Sequence, residues 1–379
     1  MPMKILEVCP YDMSRPGGVQ THIRDLSAWL TSQGHEVRII APRPKSPINL
    51  PDLIPLGYAH KIGFQGSQFE ISLAGRGAIR SLKHEMARFG AQIVHLHTPW
   101  TPLLAWQVWR SLELPTVATF HATIPDADNR TLSSRFLYLT AGHFMRHIQA
   151  TIVPSLAPLQ ALAPYANGCE IKVLPPSVDL TDWRQGANNG SKFGNEKISL
   201  LFLGRFEHRK GIETMLKAWH NVAQRMPNAH LTIAGSGVLQ SVVEKTTTQS
   251  AGRITFVPQP CRQTAIRLMQ NADIFIAPAE YGESFGIVLL EAMAAGAVPV
   301  AAANAGYKTV MTGPGADLLF PPSDAPALAE KIVALAQGPD LRARLRKWGS
   351  RHCQTYELSQ TGPQFQAIFQ RVSECRVAS

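Results

Sequence analysis

The chain reads as an α/β protein made of two parallel-sheet domains, each sheet covered by helices on both faces, and three observations point there. Strand-like and helix-like segments alternate along its whole length. The rhythm halts at a pair of prolines, Pro175-Pro176, and then restarts. The segment 282–300, GESFGIVLLEAMAAGAVPV, has the loop, helix and strand that a parallel crossover needs. With 379 residues, 45% of them apolar, and a mean hydropathy of −0.05, there is chain enough for two cores.

In order, Lys4 to Cys9 is predicted as a strand, Val19 to Gln33 as a helix stopped at Gly34, and Glu36 to Ala41 as a strand. Pro42 to Gly66 is rich in proline and glycine and is expected to form loops with one short strand. A basic helix over 74–90 follows, then strands at Ile93 to Leu96, Thr116 to His121, Ala150 to Pro154 and Ile171 to Pro176. The paired prolines resist helix and preset an extended linker. A polar loop, Gly186 to Asn195, precedes the second series. There the strands are Ile198 to Leu203, Ala229 to Ala234, Ile254 to Val257, Ile274 to Pro278 and Val298 to Ala301. Helices are expected at Gly211 to Gln224, Thr264 to Asn271, within 282–300, and from about Leu358 to the end.

The segment 282–300 carries the most information. Ile287, Leu290, Met293 and Ala294 recur at helical spacing, so it forms a buried helix with Glu283 before it and Glu291 inside it. The loop leading into that helix offers unpaired N–H groups and the positive end of the dipole, which suit a diphosphate. Glu283 can accept bonds from sugar hydroxyls, and Glu291 a pair from a ribose. A carboxylate among apolar residues is costly without such a partner. The pattern E-x-F-G-x-x-x-x-E-A-M-A-x-G resembles the signature of retaining glycosyltransferases of family 4. Residues 8–37, VCPYDMSRPGGVQTHIRDLSAWLTSQGHEV, are most similar to bacterial phosphatidylinositol mannosyltransferase-like members. The resemblance covers nearly the whole chain. It implies the GT-B architecture, two Rossmann-like domains facing across a deep cleft. Residues 1–175 would bind the acceptor and 176–357 the nucleotide sugar, with a last helix, about 358–379, crossing back to the first domain.

Further candidates sit at strand ends. Gly204-Arg205-Phe206-Glu207-His208-Arg209-Lys210-Gly211 follows the first strand of the second domain. Placed cations there can stabilise the charge of a departing nucleoside diphosphate, each charge-assisted bond contributing roughly 1.5–3 kcal/mol. The resemblance assigns Arg205 and Lys210 to the donor pyrophosphate. Because the loop is one residue shorter than in similar enzymes, Arg209 stands as the alternative to Lys210. With Glu283, Ser284, Phe285, Gly286 and Glu291 these residues make the expected donor site. Pro16-Gly17-Gly18-Val19-Gln20 opens the first helix, and its glycines let backbone approach a phosphate or sugar. By resemblance Gly17 and Gly18 lie against the donor, Tyr11 and Gln20 face the acceptor, and His121 lies at the donor sugar with its carbonyl near the anomeric carbon. His95-x-His97 imitates a metal pair but is read as structural for want of a third ligand. Asp126-x-Asp128 copies the metal-binding motif of a different architecture, so no metal cofactor is expected. In the absence of an evident carboxylate nucleophile, the family implies a same-face displacement in which the leaving phosphate helps take the acceptor's proton.

Two departures from the similar enzymes stand out. Where those acting on phosphatidylinositol carry an arginine for the lipid phosphate, counting from Gly66-Ser67, this chain has Glu70, which argues against that acceptor. Pro258 to Cys261 and Ala265 replace a stretch in which a lysine reads guanine, so GDP-mannose and UDP-glucose types of donor both stay open.

Thirty-seven basic against 27 acidic residues give a net charge of +10 and a pI near 9.5, which calls for a polyanionic partner. Over 74–90, Arg76, Arg80, Lys83 and His84 fall on one side of a helix and Ile79, Leu82, Met86 and Phe89 on the other. That is the pattern of an interfacial membrane helix as well as of an ordinary surface helix. A second acid-free basic tract, 129–151, favours an anionic membrane surface. No nucleic-acid motif is present. Five scattered cysteines suit a reducing compartment, and neither a spanning segment nor a secretory signal is evident. The expectation is a cytoplasmic enzyme at the inner face of the plasma membrane, moving a hexose to a lipid or lipid-linked glycan. The alternatives are a sugar-nucleotide epimerase of the same architecture, or a non-catalytic membrane- or nucleic-acid-binding protein.

Overall fold

The computed structural model describes residues 2–64, 67–100, 103–122, 132–185 and 197–374, with backbone alone for 61–64, 67–69 and 132–134. The expected loop 186–195, the pair Asp126 and Asp128, Gly66 and Cys375 lie outside the described residues. The chain divides into two compact units, one running to Val178 and resuming at Tyr356, the other Asp179–Thr355.

In the first unit the elements are β1 (Lys4–Val8), α1 (Gly18–Ser32), β2 (Glu36–Ala41), β3 (Leu53–Pro55), β4 (Tyr58–Phe64), β5 (Ser67–Leu73) and α2 (Arg76–Phe89). They continue with β6 (Ile93–His97), α3 (Leu104–Leu112), β7 (Thr116–Thr119), α4 (Leu132–Met145), β8 (Ala150–Val153), α5 (Leu156–Leu162) and β9 (Ile171–Val173). Seven strands make a parallel sheet in the order β3-β2-β1-β6-β7-β8-β9. Its inner strands are buried on both faces, mostly by apolar residues, because helices cover both. One face packs Leu96, Phe120, Trp106 and Phe144. The other packs Ile5, Leu26, Ile93 and Val117 against Phe365, Ile368 and Phe369 of the final helix, Leu358–Glu374. That helix lies on α1 so closely that a Cβ on Gly362 would come within 2.7 Å of the Trp29 ring.

Two expectations are corrected here. The stretch 42–66 holds two strands, β3 and β4, and β4 pairs antiparallel with β5 beyond it, with Tyr58 opposite Leu73 and Phe64 opposite Ser67. Its alternating sequence is a period-two signal that the surrounding prolines and glycines obscured. The apolar stripe of α2 does not offer itself to lipid. Leu82 and Met86 are each 2% exposed in the core, with Ile79 and Phe89 packed against it, while Arg76, Arg80, Lys83 and His84 face outward. The domain itself uses the hydrophobic side, leaving the helix only its charge for a membrane.

In the second unit a short helix α6 (Thr181–Arg184) precedes β10 (Ile198–Arg205), α7 (Ile212–Arg225), β11 (Ala229–Ser236), α8 (Gln240–Thr248), β12 (Ile254–Pro258) and α9 (Arg262–Gln270). Then come β13 (Ile274–Ala277), α10 (Ile287–Ala294), β14 (Val298–Ala302), α11 (Ala305–Val310), β15 (Leu319–Phe320), α12 (Ala325–Gln337) and α13 (Pro339–His352). The last helix of the chain, already described, is α14. The parallel order β12-β11-β10-β13-β14-β15 puts the first strand of the unit in the middle, and the winding reverses between β10 and β13. Ligands of such sheets bind at that reversal, outside the carboxyl ends of the strands. Among the described residues, no helix is long and apolar enough to cross a membrane.

Candidate functional site

The reversal point of the second sheet gathers the charged residues singled out above. The loop after β10 turns through a single 3₁₀ turn, His208–Lys210, before α7, and the loop after β13 leads into α10. Gly286 caps α10 with φ 118°, and a Cβ there would sit 2.8 Å from the Tyr307 ring, so only glycine closes this turn. Arg205 pairs with Glu207 at 2.7 Å. Arg209 donates from Nε to Glu207 Oε2 at 2.9 Å and from a terminal nitrogen to Glu283 Oε1 at 3.1 Å. Lys210 Nζ meets the same Glu283 oxygen at 2.6 Å. Three cations thus face two carboxylates, and the surplus is positive.

Accessibility separates the cations. The side chain of Arg209 is 10% exposed and held at both ends, that of Lys210 is 21% and that of Arg205 44%. Burial is the largest influence on Glu283 and pushes its pKa up, but the charges of Lys210 and Arg209 outweigh it and leave the carboxyl below its usual range. Burial, with help from Arg209 and Arg205, lowers Lys210 against the pull of Glu283. Tyr307 is raised well above the usual phenol range, by burial and then by the charge of Glu283. Ser284 is partly buried, Phe285 is 4% exposed, and Glu291 on α10 is partly buried as well. Glu207 is the residue the sequence reading passed over here; its place between two arginines of one short loop was the available signal.

In the first unit, Gly17 and Gly18 lead from β1 into α1, Tyr11 is partly buried, and Gln20 is 8% exposed with its amide donating to the Asp12 carbonyl at 3.3 Å. Glu70 is not a bare carboxylate. It pairs with Arg15 and accepts the Asp12 N–H at 3.0 Å, so the charge expected to repel a lipid phosphate is neutralised inside the protein.

His121, just after β7, is partly exposed, and its Nε2 lies 2.8 Å from His97 Nδ1. Behind it Glu7 on β1 meets both His97 and His95 of β6, at 2.6 and 2.8 Å. His22 of α1 stands against the same group, its ring centre 5.2 Å from that of His121. The expectation that His95 and His97 have no third ligand nearby is therefore wrong. Glu7, His95 and His97, and likewise His22, His97 and His121, bring ligand atoms within 4.8 Å of one another. The strand pattern hid this, because the group is assembled from two strands, the segment after a third and a helix. Burial drives the pKa of His22 down to about 4, and burial followed by neighbouring histidines drives His97 and His121 well below the usual value. Arg76, Arg80 and Lys83, all on α2, belong to neither strand-end group.

The chain is similar along its length to known glycosyltransferases. Residues 16–182 match Glycosyltransferase Family 4, and residues 186–352 match Glycosyl transferases group 1. The phosphatidyl-myo-inositol mannosyltransferase of Mycolicibacterium smegmatis is 32% identical, over 98% of this chain and 94% of that protein. The protein of the same name from Mycobacterium tuberculosis is 30% identical over 98% and 97%. The structure of sucrose-phosphate synthase from Thermosynechococcus elongatus matches with a TM-score of 0.77 at 21% identity, over the full length of both chains, a likeness that speaks for the GT-B fold alone. By the full-length identity and the two matched regions, this chain belongs to glycosyltransferase family 4 and is a hexosyltransferase that draws on a nucleotide-sugar donor.

Proposed function

We propose that the enzyme moves a hexose, with retention at the anomeric carbon, onto a lipid or lipid-linked glycan at the cytoplasmic face of the membrane. The observation that carries this is the group of three cations and two carboxylates at the β10/β13 reversal. In this reading Arg205 and Lys210 take the two phosphates of the donor, and the N-terminus of α10 adds its N–H groups. Glu283, whose Oε1 holds the cations, accepts a sugar hydroxyl on Oε2. Glu291 takes the ribose, and His121 meets the sugar. Bond breaking between C1 and the phosphate oxygen is matched by bond making from the acceptor oxygen on the same face. The acceptor's proton passes to the departing phosphate, and no metal is needed because the protein's own cations neutralise the leaving group.

The acceptor class is supported by the relatives, whose name specifies phosphatidyl-myo-inositol. A paired Arg15–Glu70 offers a phosphate less than a lone arginine would, so the lipid here is proposed by class only. Membrane association is supported by the exposed cations of α2, and by Phe136 and Leu139 of α4, which stand 56% and 55% exposed on a helix that carries the exposed Arg135 and is followed by the exposed Arg146.

Donor loss and fold loss can be told apart at Arg205, because its side chain is 44% exposed. Arg205→Ala is expected to cut kcat/KM at least about a hundredfold with little change in melting temperature, while Glu283→Gln should match that loss and also lower the melting temperature, because the mostly buried Arg209 and Lys210 lose their shared carboxylate. A panel of nucleotide sugars in thermal-shift assays should single out one donor. Near-native transfer by either variant, or activity that EDTA abolishes and a divalent ion restores, would count against this site.

A further inference from the structure

Glu7 has no part in the transfer as described, yet it is fully buried in the middle of one hydrogen-bonded chain. Its Oε2 faces His95 Nδ1 at 2.8 Å and His97 Nε2 at 2.6 Å. The second nitrogen of His95 meets Thr119 Oγ1 at 2.7 Å, and the second nitrogen of His97 meets His121 Nε2 at 2.8 Å. Glu7, His95 and His97 are 0% exposed and Thr119 1%; only His121 reaches the surface.

Proton placement along this chain follows from what each atom can do. A carboxylate oxygen that carries no hydrogen only accepts, so both nitrogens facing Glu7 Oε2 carry hydrogen. A neutral imidazole has one N–H, so His95 Nε2 accepts from the Thr119 hydroxyl and His97 Nδ1 is also an acceptor. The donor to His97 must then be His121 Nε2–H. With the rings neutral, one arrangement of protons satisfies every one of these bonds; it leaves His121 Nδ1 as a lone-pair acceptor and Glu7 Oε1 with no hydrogen-bond partner among the described residues. His22 fits without disturbing it, since the Ser177 N–H donates to His22 Nδ1 at 2.9 Å and so puts that ring's proton on Nε2. The depressed pKa values of His97 and His121 agree with neutral rings.

We propose that Glu7 is a positioning residue: acting through His97, it fixes His121 in the Nε2–H tautomer, so that Nδ1 accepts a hydrogen bond from a hydroxyl of the transferred sugar. This rests on the reading that His121 meets the sugar. Without the carboxylate, His97 can reverse, donate from Nδ1, and turn His121 Nδ1 into a donor that no longer fits the hydroxyl.

Side-chain nitrogen NMR of protein labelled with ¹⁵N-histidine reads the tautomer directly, with His121 assigned by its loss in His121→Gln. The expected wild-type spectrum at neutral pH has a bare Nδ1 and a protonated Nε2. In Glu7→Met the two forms should mix or reverse, with kcat down at least about tenfold and donor KM within about twofold. Glu7→Gln, whose amide oxygen can accept both N–H groups, should keep the tautomer and most of the rate. A wild-type His121 that is protonated on Nδ1, doubly protonated or metal-bound would overturn the proposal, as would an unchanged tautomer in Glu7→Met. If Glu7→Met does not fold, the wild-type and Glu7→Gln spectra still decide. Wild-type transfer by His121→Ala would sink the placement of His121 at the sugar, a failure distinguishable because the tautomer spectra stand apart from it.

Discussion

Arg209 is tied into the fold at both ends, which assigns it a structural load that Arg205 does not carry. It was the alternative to Lys210 as a phosphate ligand, but its guanidinium spans Glu207 and Glu283. Arg209→Ala would leave two mostly buried carboxylates short of a partner, and breaking a buried pair typically costs about 3–5 kcal/mol. A large fall in melting temperature is therefore expected, in contrast to Arg205→Ala. Equal melting temperatures for the two variants would reverse the assignment. His22 makes a second prediction, through pH. Its pKa is about 4 in the fold against 6.5 outside it, so the unfolded chain takes up the proton first. The stability it contributes is complete above pH 6.5 and is lost as pH falls toward about 4, amounting to about 3 kcal/mol. His22→Gln should flatten the dependence of urea-unfolding free energy over that window; parallel curves for wild type and variant would refute it. The donor-loop residues were legible because they crowd into two short motifs. Glu7 was not, because its partners lie 88 and 90 positions away and nothing local in the strand LEV marks it.

Helices were legible as amphipathic objects, but not in what their apolar side faces. The wheel of α2 was right about which residues share a side, but the apolar side it offered to lipid is taken by the core, since a hydrophobic stripe serves a core as well as a bilayer. In α4 the reverse holds: Tyr138 and Phe144 are buried while Phe136 and Leu139 point outward, a pattern that low local periodicity disguised. The β4–β5 hairpin and helices α12 and α13 went unread for a related reason, because no motif drew attention to them. These faces predict a division of labour at a membrane. Changing Arg76, Arg80 and Lys83 to glutamine should remove about 1 kcal/mol per charge of attraction to anionic vesicles, most visibly at low salt. Changing Phe136 and Leu139 to serine should weaken the salt-resistant part of binding instead. Co-sedimentation that is the same for wild type and both variants would make the two helices ordinary surface and favour a soluble acceptor.

Over the whole molecule, the first unit is closed by the last helix of the chain. Phe365, Ile368, Phe369 and Val372 of α14 sit in one core with Ile5, Ile93 and Val117, so these strands wait for a helix far along the sequence. Contacts that span almost the full chain are entropically late to form, and until then one face of the β1, β6 and β7 layer is uncovered. The second unit has no such dependence, since all its elements lie within Asp179–Thr355. Phe369→Ala should therefore act on one unit. Removing a fully buried phenylalanine typically costs about 3–5 kcal/mol. Hydrogen exchange should show faster exchange of amides in β1, β6 and β7 while those of β10, β11 and β13 keep their protection. If the variant loosens both sheets equally, the two units unfold as one. If it loosens neither, α14 is a dispensable cover rather than part of the core.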